Sequence, residues 1–323
     1  MTGQVCVVVE TLRGEVTEIS YTMLAAGRRL ADGLKTKLSA LLIGHDVRKL
    51  TATLGAADRV LCVDHADLAE FNPEAFLLVI AGVLKPQMPR VTILGHTATG
   101  TDVACGVAQK LKVPIVAACR TLAMDGSGPQ YSSLTCGGKI IATGPLPAPN
   151  CLVTLMTGGY KPDDGRIEKT PNVELLPVPP GLEAVRTRFK QYIEPPAGDV
   201  DITKEAVLVS VGRGIQNQEN VALAEKLATA LGGVVCGSRP VVDQGWLPTS
   251  RLVGKSGKLV KPKLYLAVGV SGAPEHLEGV LDAELMISIN TDEKAPIFNV
   301  AHYGTTCNAL ELMPLLAEKV KPA

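Results

Sequence analysis

Short apolar runs alternate with longer segments of helical periodicity over residues 1–118, and this alternation limits the possible fold more than any other feature. Short runs rich in Val, Ile and Leu are typical of buried strands. Strands joined through helices usually lie parallel, with right-handed crossovers, so the pattern predicts a parallel sheet covered by helices. The predicted strands are 5–9, 38–43, 59–63, 90–94 and 115–118, and the predicted helices lie near 19–34, 46–54, 73–85 and 99–112.

The later segments follow other patterns. Between 116 and 156 the apolar runs are short and separated by turn signals such as Asp125-Gly-Ser-Gly128, which predicts an antiparallel meander added to the sheet. Residues 161–198 are proline-rich and irregular, which predicts a linker extended over the surface. From 199 onward strands and helices resume, so the sequence predicts two α/β domains, 1–198 and 199–323. Predicted elements of the second domain are strands 206–211 and 234–236, a helix ending at 231 and a final helix over 307–319.

Charge and hydropathy exclude several classes of function. Lys plus Arg and Asp plus Glu number 32 each, so the formal net charge is zero, and no basic run offsets it. Binding to nucleic acid or to an anionic membrane is therefore not expected. No apolar run is long enough to span a bilayer, so membrane insertion is not expected either. Residues 4–10 read as a strand rather than a signal peptide, which predicts a cytoplasmic protein, or a mitochondrial matrix protein in a eukaryote.

The eight cysteines are scattered and include no Cys-x-x-Cys pair. Cys6, Cys62, Cys119 and Cys236 lie in apolar runs that resemble strands, so we expect buried thiols in a reducing compartment. No iron–sulfur cluster and no structural metal is expected within the chain.

The strongest functional pattern runs from Leu264 to Gly279. It reads as a buried strand, a turn at Ser271-Gly272 and a helix that begins at Pro274, a residue tolerated at the first helical position. The free amides of a first helical turn, beside a glycine that permits close approach, favour an anion such as a nucleotide pyrophosphate. A second buried strand follows and ends at Asn290. The pattern therefore predicts a nucleotide site, with His276 inside the helix in reach of the ligand.

Six ordered motifs, dense over residues 206–310, resemble those of the electron transfer flavoprotein alpha subunit, also called the ETF alpha or FixB family. Within the stretch around His276, two positions depart from the usual family residues: Glu275 replaces Gln and Pro274 replaces Ile or Val. The motifs are Val211-Gly-Arg-Gly214, Cys236-Gly-Ser-Arg-Pro240, Gly245-Trp246, Val253-Gly-Lys-Ser-Gly-Lys258, the stretch with Tyr265, Gly269, Ser271, Gly272, His276, Gly279 and Asn290, and the pair Ala295-Pro-Ile-Phe298 and Tyr303-Gly304.

The resemblance implies a Rossmann-like first domain and a second α/β domain that binds FAD. It implies that Arg213 contacts the FAD phosphates, that Arg239 lies against the flavin ring and that His276 donates to the flavin C2 oxygen. Ser256 takes the place of a family Thr that hydrogen-bonds flavin N5, and Lys255 replaces a family Gln. The implied cofactor-binding residues are Arg213, Ser238, Arg239, Val253, Gly254, Lys255, Ser256, Ser271, Gly272, Ala273, Pro274, Glu275, His276, Asn290, His302 and Tyr303, the last three at the adenosine end.

Several local patterns have a second interpretation. Arg213 also fits an ordinary strand-to-helix turn, and Lys255 fits either a position beside the ring or full exposure to solvent. The Lys255 motif is not a phosphate loop of the ATPase type, because position 249 is Thr and not Gly. We expect His276 to gain positive charge when a flavin is reduced, because a nearby negative charge favours the imidazolium.

A further strand-to-helix turn occurs in the first domain, from Leu94 to Asp102. By itself this turn could bind a small anion. The resemblance favours a scaffold and partner-contact role, with Thr99 as the helix cap.

The resemblance implies an electron carrier without catalytic residues of its own. The partner would be a beta subunit that holds AMP, or a second FAD. Electrons would pass from acyl-CoA or other dehydrogenases to a quinone-linked oxidoreductase. The alternatives are a bifurcating flavoprotein, which splits NADH electrons between ferredoxin and a higher-potential acceptor, and a non-redox regulator that binds nucleotides.

Overall fold

The computed structural model describes residues 4–126, 128–136, 138, 140–192 and 200–320. The chain divides into two compact units, Met1–Gln191 and Tyr192–Ala323. Each unit contains a sheet flanked by helices, which confirms the predicted α/β class. The predicted domain boundary between 198 and 199 lies outside the described residues.

The first unit is built on a sheet that has nine strands within the described residues, in the order β11-β5-β4-β1-β6-β10-β7-β8-β9. Its strands from β11 to β7 are parallel, and the strand order reverses at β1, which lies between β4 and β6. The strands are β1 (Val5–Val8), the short antiparallel pair β2 (Thr11–Leu12) and β3 (Glu15–Val16), β4 (Leu38–Gly44), β5 (Arg59–Asp64), β6 (Val91–Gly95), β7 (Ile115–Asp125), β8 (Gly128–Thr135), β9 (Ile140–Pro145), β10 (Cys151–Leu155) and β11 (Asn172–Leu175).

Helices cover both faces of this sheet. The helices are α1 (Glu18–Gly33), α2 (Pro73–Gln87) and α3 (Ala98–Leu111), with a 3₁₀ helix at Val47–Thr53 where a helix was predicted over 46–54. Val5 and Val7 of β1 pack in the core layer of α1, whereas Cys6 and Val8 pack in the layer of α2 and α3. A central strand buried on both faces explains why its sequence is continuously apolar.

Two predictions for the first unit need correction. The meander predicted over 116–156 is antiparallel only from β7 to β9, because β10 inserts in parallel between β6 and β7. The segment predicted as a linker over 161–198 contains β11, which pairs in parallel with β5 at the outer edge of the sheet. Both pairings join strands that are distant in sequence, so local patterns did not indicate them.

The second unit contains a parallel sheet of five strands within the described residues, in the order β13-β12-β14-β15-β16. The chain leaves β12 toward one side for β13 and returns on the other side as β14, so the strand order reverses between β12 and β14. The strands are β12 (Val207–Val211), β13 (Val234–Gly237), β14 (Leu264–Val268), β15 (Leu285–Ile289) and β16 (Tyr303–Thr305).

The two faces of the second sheet are covered differently. Two longer helices, α4 (Val221–Ala230) and α7 (Ala309–Lys319), pack on the face that includes Val209 and Val211. The other face, with Leu208 and Tyr265, is covered largely by loops and short turns. Two short helices follow strands directly, α5 (Arg239–Asp243) after β13 and α6 (Pro274–Leu277) after β14.

Candidate functional site

The candidate site lies at the carboxyl edge of the second sheet, where the strand order reverses between β12 and β14. Open α/β sheets bind ligands at such switch points. The two exit loops meet through glycine: the amide of Gly212 donates to the Val268 carbonyl at 2.8 Å, and that of Gly214 to the Gly269 carbonyl at 3.0 Å. A Cβ on Gly212 would collide with the Gly269 carbonyl, and Gly269 has φ +62°. Backbone therefore forms the floor of the site.

A second close backbone contact brings the loop that carries Lys255 to this edge. The amide of Val253 donates to the Gly237 carbonyl at 3.0 Å, and that of Lys255 donates to the Glu275 carbonyl at 2.7 Å. Gly254 has φ +138°, and a Cβ there would lie 2.7 Å from the Glu275 carbonyl oxygen. These contacts fix the loop between the end of β13 and α6.

Arg239 and Ser256 come from different loops and meet at this edge. Nη1 of Arg239 lies 3.5 Å from Oγ of Ser256, a long hydrogen bond. Nε of Arg239 lies 3.4 Å from Oδ2 of Asp243, four residues later, in a pair whose side chains are 68% and 62% exposed. Such exposed pairs contribute little stability, so the guanidinium can turn toward a ligand. Ser238 is buried at the N-cap of α5, but its hydroxyl makes no capping hydrogen bond.

Lys255 and Arg213 supply two further cations. Lys255 is exposed, and its Nζ lies 3.3 Å from Oε2 of Glu278. Of the two orientations that the sequence left open for Lys255, exposure to solvent is the one that the structure has. Arg213 is also exposed, in the 3₁₀ helix that follows β12. Both charges can therefore move toward an anion.

The helix predicted to begin at Pro274 does begin there, but it ends after one turn at Leu277. The amides of His276 and Leu277 donate to the Ala273 carbonyl at 2.9 and 3.0 Å, and Pro274 has no amide hydrogen. A single turn has only a small dipole, so the helix N-terminus adds little to the anion site, which stays a prediction. A phosphate at this edge would depend on the exposed cations and on the loop that begins at Ser271.

His276 is buried rather than open to solvent. The residue is 6% exposed, and its Nε2 lies 2.8 Å from the hydroxyl of Tyr265, which is fully buried. Nδ1 is enclosed and has no hydrogen-bond partner among the described residues, a situation that costs about 1–3 kcal/mol. Burial lowers the pKa of His276 to about 4, and the backbone of Val253 offsets this only in part. Desolvation therefore opposes the expected gain of positive charge.

Asn290, which follows β15, joins two exit loops. Its Nδ2 donates to the Val270 carbonyl at 2.9 Å, and its Oδ1 accepts from the amide of Asp292 at 3.0 Å. The side chain therefore stabilises the loop backbone at the carboxyl edge, whatever contact it makes with a ligand.

His302 and Tyr303 lie elsewhere on the sheet. His302 precedes β16 at the amino end of that strand, where its Nδ1 accepts from the amide of Met286 at 2.9 Å. Tyr303 is the first residue of β16 and is 68% exposed. The structure does not bring this pair together with the residues at the carboxyl edge.

Three side chains that matter for this edge were given no role at the site by the sequence analysis, although Tyr265 belongs to one of its motifs. Asp243 follows Arg239 at the i, i+4 spacing of helical ion pairs and could have been found. Glu278 and Tyr265 meet Lys255 and His276 only through the tertiary fold. The predicted residues that the structure does gather in the loops of this edge are Arg213, Ser238, Arg239, Val253, Gly254, Lys255, Ser256, Ser271, Gly272, Ala273, Pro274, Glu275, His276 and Asn290.

The switch point of the first unit holds a carboxyl group of the chain itself. Glu10 follows β1, and its two oxygens share the hydroxyl hydrogen of Thr97, whose Oγ1 lies 2.8 and 3.0 Å from them. A Cβ on Gly100 would lie 2.8 Å from Oε1 of Glu10, and a Cβ on Gly95 would collide with it. Burial raises the pKa of Glu10, and hydrogen bonds from Thr97 and Thr99 partly offset this. The turn predicted to suit an anion therefore encloses Glu10.

The N-cap of α3 lies two residues before the predicted cap, Thr99. Thr97 is the N-cap, and its side chain accepts from the amide of Gly100 at 2.9 Å. Thr99 lies inside the helix, with its hydroxyl 3.5 Å from Glu10. The prediction of Thr99 as the cap was wrong because the helix begins at Ala98.

Other features of the described residues are less directed at a ligand. His45, Asp46 and Asp64 bring three potential metal-ligand atoms within 4.8 Å of one another, although no ion is present and His45 and Asp46 are exposed. A cavity of about 290 Å³ is lined only by residues of the first unit, among them Asn72 and Phe189.

None of the helices in the described part of the chain is both long and apolar enough to cross a membrane. The four cysteines predicted to be buried are confirmed as buried free thiols: Cys6, Cys62, Cys119 and Cys236.

Comparison with protein families assigns both halves of the chain. The family described as "Electron transfer flavoprotein domain" matches residues 5–180, and the "Electron transfer flavoprotein FAD-binding domain" matches residues 201–281. The second match contains the loops of the candidate site up to α6.

Relatives align over nearly the whole chain. An acryloyl-CoA reductase electron transfer subunit beta from Anaerotignum propionicum is 34% identical, over 97% of this chain and 94% of the relative. Protein FixB from Clostridium saccharobutylicum is also 34% identical, over 98% and 96%. The electron transfer flavoprotein subunit alpha of Clostridium acetobutylicum is 30% identical, over 99% and 97%.

Similarity to solved structures is weak. A thiamine diphosphate-dependent 4-hydroxybenzoylformate decarboxylase from Rhodococcus jostii RHA1 matches at 14% identity with a TM-score of 0.26, over 99% of this chain and 60% of that chain. A match at this level carries no functional argument, whereas the family and sequence matches cover both units. The chain belongs to the electron transfer flavoprotein alpha subunit family, which includes the FixB proteins.

Proposed function

We propose that this chain holds FAD at the carboxyl edge of its second sheet and works as the alpha subunit of a heterodimer. It would take electrons from dehydrogenases, acyl-CoA dehydrogenases among them, and pass them to a quinone-linked oxidoreductase. The observation that carries the proposal is the glycine floor at the β12–β14 switch point, flanked by exposed cations. This floor lies in the segment that matches the FAD-binding domain family.

The residues at this edge fit the chemistry of FAD. A pyrophosphate carries two negative charges, and three exposed cations lie at this edge: Arg213, Arg239 and Lys255. Among the described residues their ion pairs are weak or absent, so these side chains can turn toward the phosphates. The contact between Gly212 and Gly269 leaves backbone rather than side chains at the centre of the edge, so a ligand can approach closely. A flavin also offers carbonyl acceptors, which suits a neutral, buried donor such as the ring of His276.

Bound FAD would supply the redox chemistry, since flavins exchange electrons singly or in pairs. The protein would supply position and charge. Arg239 and Ser256, which already touch, would present a cation and a hydroxyl to the flavin ring, and the cation favours negative charge on that ring. Arg213 would offset the phosphate charge. The beta subunit would contribute a second nucleotide, AMP, and would cover the edge.

A second candidate function is a bifurcating flavoprotein. There, NADH electrons are divided between ferredoxin and a higher-potential acceptor, and the beta subunit holds a second FAD. The relative from Anaerotignum propionicum supports this candidate, because it is named as the electron transfer subunit of an acryloyl-CoA reductase. Electrons that move toward an acyl-CoA fit this second scheme better than the first.

The nucleotide content of the purified complex tests both candidates. We expect the chain, co-expressed with its beta subunit, to give a yellow heterodimer. One FAD plus one AMP would support the carrier, and two FAD would support the bifurcating type. A colourless complex that binds only a non-flavin nucleotide would contradict both and favour a non-redox regulator.

Variants of this chain assign the FAD to the proposed edge. Arg213→Ala should weaken FAD binding about tenfold or more, since a cation to phosphate contact is lost. Lys226→Ala removes an exposed cation from α4 and is the matched control, expected to bind FAD normally. Equal FAD content in both variants and the wild type would place the cofactor elsewhere.

A further inference from the structure

The buried pair of Tyr265 and His276 has a consequence for the chemistry of the site. Tyr265 is fully buried in β14, and its hydroxyl lies 2.8 Å from Nε2 of His276. The two rings are tilted at 49°, with centroids 6.1 Å apart, so their contact is through the polar atoms rather than by stacking. Both residues are more than nine-tenths buried, and water cannot substitute for either partner.

We infer that Tyr265 positions His276 by donating its hydroxyl hydrogen to Nε2, which fixes the ring in the tautomer with its hydrogen on Nδ1. The inference about the tautomer stands on its own. Its consequence for a flavin rests on the proposed function.

The direction of the hydrogen bond follows from the two neutral groups. Burial lowers the pKa of His276 and raises that of Tyr265, so the imidazole and the phenol are both uncharged. A neutral imidazole has one donor and one acceptor nitrogen, and that acceptor nitrogen is a stronger base than a phenol oxygen. Two other groups lie beside the phenol: the sulfur of Cys236, which is a weak acceptor, and the hydroxyl of Ser210, whose oxygen is a weaker base than the imidazole nitrogen and which can itself donate. The hydroxyl hydrogen therefore goes to Nε2.

The tautomer decides which atom of His276 can donate. The hydrogen bond made by one ring nitrogen sets the hydrogen on the other. Nδ1 is buried and makes no hydrogen bond of ordinary geometry among the described residues, although the backbone of Val253 lies near enough to the ring to raise its pKa, so the hydrogen on Nδ1 lacks a well-placed acceptor. A carbonyl oxygen brought by a ligand would satisfy it. Any hydrogen bond from His276 to a flavin carbonyl must therefore leave from Nδ1 while Tyr265 holds Nε2.

Nitrogen-15 NMR of the histidine rings tests this directly, because protonated and bare ring nitrogens have well-separated chemical shifts. The sample is the full chain with histidine-labelled rings, co-purified with its unlabelled beta subunit. His276→Gln assigns the signal among the five histidines of this chain. We expect the wild-type ring to carry its hydrogen on Nδ1. A hydrogen on Nε2 would overturn the inference without any further variant.

Tyr265→Phe keeps the ring and removes only the hydroxyl. We expect its His276 tautomer ratio to move at least tenfold toward hydrogen on Nε2, and the same ratio as in the wild type would overturn the inference. Tyr131→Phe, on a partly buried tyrosine in β8 of the first unit, is the control and should leave the ratio unchanged.

Flavin binding provides the second readout. If Nδ1 donates to the flavin, Tyr265→Phe should weaken FAD binding several-fold and shift the flavin absorbance band, and Tyr131→Phe should do neither. Unchanged flavin properties, with a changed tautomer, would confine the inference to the ring and remove its consequence for the cofactor. A wild-type complex without flavin would instead contradict the proposed function, and the tautomer measurement would still decide the inference.

Discussion

Each of the two sheets of this chain has a switch point where the strand order reverses, but different groups line the two switch points. In the first unit the crevice between β1 and β6 encloses the carboxyl group of Glu10, which accepts a hydrogen bond shared by its two oxygens from Thr97. In the second unit the crevice between β12 and β14 has a backbone floor, and exposed cations such as Arg213 lie in its loops. The strand order offers a ligand position twice: the carboxyl group of Glu10 occupies the first, called the closed crevice below, whereas backbone and exposed cations line the second, called the open crevice.

The difference shows why a strand-to-helix turn by itself does not predict a ligand. Gly95 and Gly100 clear space beside the carboxyl group of Glu10, and Gly212 and Gly269 clear space for each other's backbone. In both cases glycine permits close approach, but the approaching group is internal in the first unit. The group that occupies each crevice therefore depends on the residue that comes after its central strand, which is Glu10 after β1 and Gly212 after β12.

The largest expected effect comes from closing the open crevice. Gly269→Ala combines a left-handed backbone with a Cβ 2.8 Å from the Gly214 backbone, so we expect about 2–4 kcal/mol of destabilisation and loss of FAD. Urea unfolding followed through Trp246, the single tryptophan, reports on the second unit. Gly232→Ala has a similar φ of +68° but open space around it, so it should lose only about 1–2 kcal/mol. Equal losses in the two variants would mean that the glycine contact is unimportant.

A smaller effect is expected when a cation is removed from the open crevice. Arg239→Ala should lower the one-electron potential of the flavin, because a positive charge near the ring favours its reduced form. A tenfold change in the equilibrium corresponds to about 59 mV, and we expect a shift of that order. Redox titration of the heterodimer measures it, with Lys226→Ala as the control. Potentials that match the wild type would exclude Arg239 from the neighbourhood of the ring.

The closed crevice should depend on Thr97 more than on its neighbour. Thr97→Val removes both the helix cap and a donor to Glu10, and should cost about 1 kcal/mol in the free energy of unfolding. Thr99→Val, which loses only a contact at 3.5 Å, should stay within about 0.5 kcal/mol of the wild type. Far-UV circular dichroism in urea measures both. A larger loss for Thr99→Val would restore Thr99 as the cap.

The smallest expected effect is the pH dependence that Glu10 adds. Burial raises its folded pKa above the ordinary value, so the folded state binds the proton more tightly than the unfolded chain. The resulting stability is present at low pH and is lost as pH rises through the folded pKa. Compared with Glu10→Gln, the wild type should lose stability as pH rises above about 4.5. Parallel stability curves for the two proteins would show that Glu10 is not desolvated.

Much of the fold follows from local sequence. The alternation of apolar runs predicts β1, β4, β5, β6 and the start of β7, with helices between them, because each run is buried and each turn is close in sequence. The positions of β10 and β11 were not predictable in the same way, since their partners are far away along the chain. Propensity indicates that a strand forms, but not where it pairs.

In the candidate site, too, some features follow from local sequence and others depend on the tertiary fold. Glycine and arginine positions after strands were visible in the sequence, because the carboxyl ends of parallel strands meet at one edge. The burial of His276 and the ion pair of Lys255 with Glu278 depend on packing between distant segments. For that reason local sequence did not indicate the desolvation that lowers the pKa of His276 and opposes its expected gain of positive charge. Single-residue roles toward FAD stay predictions until the variants above are measured.

The strand β11 also bears on how the protein behaves while it is being made. It covers β5, whose exposed edge would otherwise present unpaired amides and carbonyls to other chains. β11 lies more than 100 residues after β5, so the edge of β5 stays unpaired on the ribosome until β11 has been synthesised. At about 5–20 residues per second, the interval lasts roughly 5–20 s. Chains shortened before residue 172 should therefore aggregate, even though they retain the predicted strands and helices of the first unit.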